Sequence, residues 1–190
     1  MFNQNDFIEK CEAAISTPNA LEVITSLVND AIAKPQDLEN AFVGCDDEEH
    51  LVHVSDDLTI VHIRLTPNVH FPPHDHLMNA VVGIYEGCET HIFYDRTEHG
   101  IVAKPAVTVA AGNLVAVDVD AIHSVVNTGK NRAAALHVYL GNLVEQERSI
   151  WAPDAVTEAP YSDDVYFDLA GPYDVALPYE LPAVSRAYSA

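Results

Sequence analysis

The sequence predicts a mainly β protein, a sandwich or barrel preceded by helices, and three observations carry that expectation. Short β-branched runs broken by turn residues recur between about residues 51 and 143. Before them, apolar residues recur at helical spacing. After Trp151 the texture changes again, to a stretch rich in Pro, Tyr and Asp. Short strands at regular spacing, with turn signals between them, are the pattern of sandwiches and barrels.

The helical zone runs from Asp6 to Phe42. Phe7, Ile8, Cys11, Ala14 and Ile15 fall three and four residues apart, as do Leu21, Ile24, Leu27, Val28 and Ile32. Pro18-Asn19 separates these two helices, with Asn19 as N-cap, and Pro35 opens a third short one. The strand candidates are LTIVHIRL (58–65), NAVVGIY (79–85), THIFYDR (90–96), AVTVAAG (106–112), NLVAVDV (113–119) and AALHVYL (134–140). Glu86-Gly87 reads as a turn and Gly112-Asn113 as a hairpin turn. The final stretch, PYSDDVYFDLAGPYDVALPYELP, predicts little regular structure. It either wraps over the barrel or reaches a neighbouring subunit in a homodimer, and its tyrosines favour docking. The expected organisation is one domain over 1–190, with a helical segment (1–45), a β-barrel (50–150) and an irregular tail (151–190).

Charge excludes two classes of partner. Against 29 Asp+Glu there are 9 Lys+Arg, and the resulting net charge of −20 repels nucleic acid and anionic membranes. No apolar run approaches the roughly 20 residues of a membrane helix. The opening MFNQNDFIEK is acidic and polar, so no signal peptide and a cytoplasmic protein are expected. Cys11, Cys45 and Cys88 are odd in number and far apart. They fit neither a disulfide framework nor a Cys-x-x-Cys metal site, and read as packing residues.

Chemistry concentrates on the histidines. His74 and His76 lie in FPPHDHLMN. In an extended segment alternate side chains share a face, so both imidazoles point one way and Asp75 the other. Such a pair can offer two nitrogens to one metal ion. Some 35 residues on from the following strand, GNLVAVDVDAIHSVVN carries His123. Three neutral nitrogens with open positions suit iron(II), and could also hold zinc, copper, nickel or manganese.

The segments PPHDHLMNAVVGIYEGCE, GNLVAVDVDAIHSVVN and AALHVYLGNL resemble the cupin superfamily, specifically its thiol dioxygenase branch of cysteine and 3-mercaptopropionate dioxygenases. The resemblance covers about residues 60–150. It implies a double-stranded β-helix, or jelly-roll barrel, with N-terminal helices, and iron(II) on His74, His76 and His123. Zinc or nickel could replace the iron in the purified protein. His137 and Tyr139 would stand beside the metal with catalytic roles, and Arg148 would fix a substrate carboxylate through its bidentate fork. The implied activity is oxidation of a small mercapto acid to its sulfinate by O2.

The sequence also departs from that family. Ala80 and Val81 stand where many cupins carry a carboxylate ligand, so the ligand set is three histidines. The same positions lack the cysteine that crosslinks to the tyrosine in mammalian-type enzymes, and Cys88 lies too far along to replace it. Ala135 stands where a Ser-His-Tyr relay has serine. The arginine of cysteine dioxygenases has no clear counterpart, Arg64 being out of register. A three-histidine oxygenase of a non-thiol substrate such as a diketone, and a metal-binding cupin without turnover, are the alternatives.

Plainer roles exist for several of these residues. His137 is equally a core histidine, and Arg148 a surface partner of a carboxylate such as Glu145. Glu86 and Glu89 read as turn and strand-edge residues. His62, His70, His91 and His99 read as surface or packing residues, and Asp75 as holding a backbone or imidazole partner outside the ligand set.

Overall fold

The structure, a computed structural model, describes residues 1–45, 47–152 and 154–172. Three helices come first: α1 (Gln4–Ile15), α2 (Ala20–Ile32) and α3 (Pro35–Ala41). The second and third begin where the punctuation predicts, and the first begins at Gln4, two residues ahead of the expected start at Asp6. The Asn3 side chain accepts from the Asp6 N–H and caps α1, Asn19 stands at the N-cap of α2, and Pro35 is the first residue of α3, where its missing N–H costs nothing.

The strands follow as β1 (Glu49–Val54), β2 (Thr59–Leu65), β3 (Val69–Asp75), β4 (Ala80–Glu86), β5 (Cys88–Thr97), β6 (Gly100–Ala103), β7 (Val107–Ala110), β8 (Asn113–Val117), β9 (Ile122–Val126) and β10 (Ala133–Tyr139). Short strands β11 (Ser149–Trp151) and β12 (Glu158–Pro160), helix α4 (Asp163–Leu169) and β13 (Gly171–Pro172) complete the described chain. One sheet runs β1-β2-β10-β4-β8 and the other β12-β11-β3-β9-β5-β6, with β7 added on β5 and β13 on β3. Strands β2 to β5 therefore alternate between the sheets, and β7 to β10 do the same, every pairing being antiparallel. That order is a jelly roll, the cupin-type double-stranded β-helix, here with helices at the N-terminal side.

The inner strands of the first sheet, β2, β10 and β4, are buried on both faces, which explains their unbroken apolar runs. Ile60, Val81, Tyr85, Leu136 and Val138 face the helices. Their neighbours in sequence, Val61, Val82, Ile84, Ala135 and Tyr139, face the second sheet. Helix α2 lies so close to β4 that a Cβ on Gly83 would come within 2.4 Å of Val28 Cγ1. Cys11 is buried and Cys45 and Cys88 are half-buried, all three free thiols.

Two expectations need correction. Gly112 does turn the chain, at φ +83, but no hairpin forms there. β7 pairs with β5 and β8 with β4, so the turn carries the chain from one sheet to the other. The tail is not irregular over its described part. The Ser162 hydroxyl accepts from the Val165 N–H and caps α4, whose first turn carries Asp163 and Asp164 where the helix dipole favours anions. Residues 171–172 then pair with β3 beside His70. The described part of this segment lies against β3, while residues 173–190 lie outside the described part. No helix among the described residues is long and apolar enough to cross a membrane.

Candidate metal centre

Strands β3 and β9 are neighbours, and their register sets His74 directly opposite His123. His76 follows β3 by one residue, and the chain then turns at Leu77, whose φ of 55° is unusual for a residue with a side chain. The period of two brings His74 and His76 to one face. Their Nε2 atoms are 3.1 Å apart, and His123 Nε2 lies 3.4 Å from that of His76. All three side chains are buried. Asp75 points the other way, where it accepts the Ser149 N–H at 2.7 Å and ties β3 to β11.

The protonation of these imidazoles fits a cation. His74 Nδ1 is 3.0 Å from the Pro72 carbonyl, which only accepts, so the ring hydrogen is on Nδ1 and the Nε2 lone pair faces the cluster. Burial, helped by the Arg148 charge, pushes the His74 pKa down to about 3. Burial and the neighbouring histidines hold His76 and His123 well below the usual imidazole range. Three neutral rings with nitrogens within 4.8 Å of one another form a group that could hold a metal ion. No carboxylate joins them among the described residues, and Ala80 and Val81 are buried apolar residues of β4.

Some solved structures resemble this chain. One is an RmlC-like cupin family protein with a double-stranded β-helix fold from Methanocaldococcus jannaschii, 17% identical, covering 52% of this chain and 85% of that one at a TM-score of 0.43. Others are a DMSP lyase from Ruegeria pomeroyi DSS-3 (19% identity, 50% of this chain, 43% of that chain, TM-score 0.40) and a mutant oxalate decarboxylase from Bacillus subtilis (20%, 46%, 22%, 0.38). The matched part spans less than half the length of the last two. No protein-family model matches the chain, and no curated protein matches it in sequence.

The other anticipated residues gather at the same cluster. Tyr139 and His137 alternate inward on β10. The Tyr139 ring stands edge-on to that of His76, with centroids 4.9 Å apart, and its hydroxyl is 3.1 Å from His137 Nδ1. Burial holds the phenol far above its ordinary pKa. Arg148 lines the same cavity as the three histidines, and its guanidinium lies over the Tyr161 ring. The inner cavity is small, about 50 Å³. It adjoins an outer one of about 850 Å³, with Glu49, Val61, Leu143, Arg148 and Tyr161 lining both.

Several residues of the site are absent from the expected set. Glu49 reaches solvent at the rim, yet desolvation by the cavity walls and the Asp163 carboxylate raise its pKa to about 7. Tyr166 stands edge-on over His74 at 5.1 Å, and Tyr161 lies beside both. The tyrosines in PYSDDVY were the available signal. Glu89 is the larger correction. It is no strand-edge residue, because β7 and β9 flank β5 on its two sides, and its side chain is wholly buried, facing His137 of the opposite sheet. Its Oε2 is 3.3 Å from His91 Nε2 and 3.9 Å from His137 Nε2. His91 is likewise buried against His123, their Nδ1 atoms 3.3 Å apart. Elsewhere the plain roles hold. His62 stacks on Phe42 and bonds the Tyr85 hydroxyl, His70 bonds Ser124, and His99 is exposed.

Proposed function

We propose that the protein is an iron(II)-dependent dioxygenase that converts a small mercapto acid, of the 3-mercaptopropionate or cysteine class, to its sulfinate. The overall change balances as RSH + O2 → RSO2H. The observation that carries this reading is that one cation, Arg148, lines the same 50 Å³ cavity as three neutral imidazoles. A fork of N–H donors beside the cluster suits a carboxylate two or three carbons from the sulfur. Iron(II) held by His74, His76 and His123 would supply the redox chemistry between thiolate and dioxygen.

The chain's own groups do the rest. Arg148 binds and orients the carboxylate. Tyr139, its hydroxyl 3.1 Å from His137 Nδ1, presents a neutral phenol beside the cluster, because burial disfavours the phenolate. Tyr161 and Tyr166 cover the inner cavity and exclude water. The apolar Ala135 on the same face favours a second reading, an oxygenase of a non-thiol ligand such as a diketone.

Oxygen uptake by the anaerobically iron-loaded protein tests this, with 3-mercaptopropionate, cysteine, cysteamine and a diketone compared side by side. Thiol-dependent uptake with sulfinate product, abolished by His123→Ala, is the expected result. Uptake with the diketone alone would select the second reading. Bound iron without uptake would leave a metal-binding protein.

A further inference from the structure

We infer that Glu89 is a positioning residue whose single carboxylate holds both the metal ligand His123, through His91, and the phenol of Tyr139, through His137. The inference rests on the metal-binding reading of the three histidines and is independent of the substrate.

An isolated carboxylate on the inner side of a barrel strand is expensive to bury. Glu89 is entirely without solvent exposure. Its charged contacts are two imidazoles, His91 Nε2 at 3.3 Å and His137 Nε2 at 3.9 Å. These contacts are longer than ordinary hydrogen bonds. Neither carboxylate oxygen nor either Nε2 has a hydrogen-bond partner among the described residues, which leaves the facing charge contacts as what compensates the carboxylate. Consistent with that, the two imidazoles hold the Glu89 carboxyl at about 2 although burial alone would raise it.

The hydrogens then follow from one fact, that a carboxylate only accepts. Both Nε2 atoms facing it must carry hydrogen, which leaves both Nδ1 atoms as acceptors. His137 Nδ1 takes the hydroxyl hydrogen of Tyr139 at 3.1 Å. His91 Nδ1 takes the Nδ1 hydrogen of His123 at 3.3 Å. His123 is thereby fixed with its Nε2 lone pair toward His76, the form that can bind a cation. One anion on β5 thus sets two chains of polar contacts, one ending on His123 and one on Tyr139. It also supplies what Ala135 does not, a third member for the His137–Tyr139 pair.

The test uses the full chain, with zinc affinity measured by chelator competition and the ring hydrogens of 15N-labelled histidines located by NMR. His91 and His137 are expected to carry hydrogen on Nε2 and His123 on Nδ1. Glu89→Gln is expected to leave His91 and His137 without a single tautomer and to weaken zinc binding about 10- to 100-fold. His91→Asn, which cuts only the branch to His123, is expected to weaken zinc similarly, and it serves if Glu89→Gln does not fold. Hydrogen on Nδ1 of His91 or His137 in the parent protein would overturn the inference, as would zinc affinity in both variants within twofold of the parent. Failure of the parent to bind zinc would instead remove the metal reading, and the tautomers of the metal-free protein would still decide the role of Glu89.

Discussion

The guanidinium carbon of Arg148 lies 3.2 Å from the ring centroid of Tyr161, and the Tyr161 N–H donates to the Arg148 carbonyl at 2.8 Å. Two residues at the same end of the β11–β12 pairing thus fasten each other at the rim of the histidine-lined cavity. The cation is held in place before any ligand arrives, by ring stacking and by backbone.

Fixing the fork in advance should appear in binding rather than in turnover. Arg148→Ala is expected to raise KM for 3-mercaptopropionate about 10- to 100-fold, the worth of a charged hydrogen bond, with iron content unchanged. Arg148→Lys keeps the charge without the planar fork and should recover only part of the loss. Steady-state oxygen uptake with metal analysis of each variant checks both.

Glu49 gives the site a pH dependence. Its carboxyl, ordinarily at 4.5, is raised to about 7 by desolvation first and by Asp163 second. Below the unfolded value both states hold the proton and the residue costs nothing. As pH rises from there through 7, the unfolded chain has released the proton while the folded one keeps it, so stability falls and then levels off. The new negative charge at the rim also opposes an anionic substrate, so KM for 3-mercaptopropionate should rise through pH 7. Glu49→Gln is expected to flatten both curves, read by urea midpoints and by KM at pH 5 to 8.

Tyr166 joins the tail to the histidine cluster. Its buried ring stacks on Phe71 at 5.1 Å and meets His74 edge-on at the same distance. Tyr166→Ala should cost about 3–5 kcal/mol in stability, as for other buried aromatics cut to alanine. It should also speed zinc loss to a chelator, whereas Tyr166→Phe should leave that rate near the parent value. Stopped-flow chelation distinguishes the two.

Gly83→Ala tests the seat of α2. The added methyl would stand 2.4 Å from Val28 Cγ1 and 2.9 Å from Ile32 Cγ2, both short branched side chains with little room to move. A loss of about 1–3 kcal/mol is expected from overpacking. Zinc affinity should not change, because the contact is on the sheet face away from the histidines. A denaturant titration beside a zinc titration settles it.

The parts legible in the sequence were those set by local spacing. His74 and His76 share a face whenever their segment is extended, and the runs at 58–65 and 134–140 are strands in any register. What the spacing could not supply was the neighbour. Whether β7 pairs with β8 or β5 depends on the second sheet, so Gly112 reads as a hairpin when it is a crossing. Glu89 reads as a strand-edge residue because glutamate in a strand is seldom interior. Only the strands on either side and the facing His137 reveal that it is neither at an edge nor outside the barrel. Helix α4 has seven residues between Pro160 and Pro172, too short for periodicity to stand out against the prolines.

The last barrel strand ends at Tyr139, and the rings that roof the three imidazoles, Tyr161 and Tyr166, are synthesised after it. The three imidazoles and the rings over them are therefore consecutive, separate lengths of the chain. A change in the rings can alter how readily an ion reaches the cluster without altering the nitrogens that would hold it. Cage and door are written apart in the sequence, so each can vary without the other.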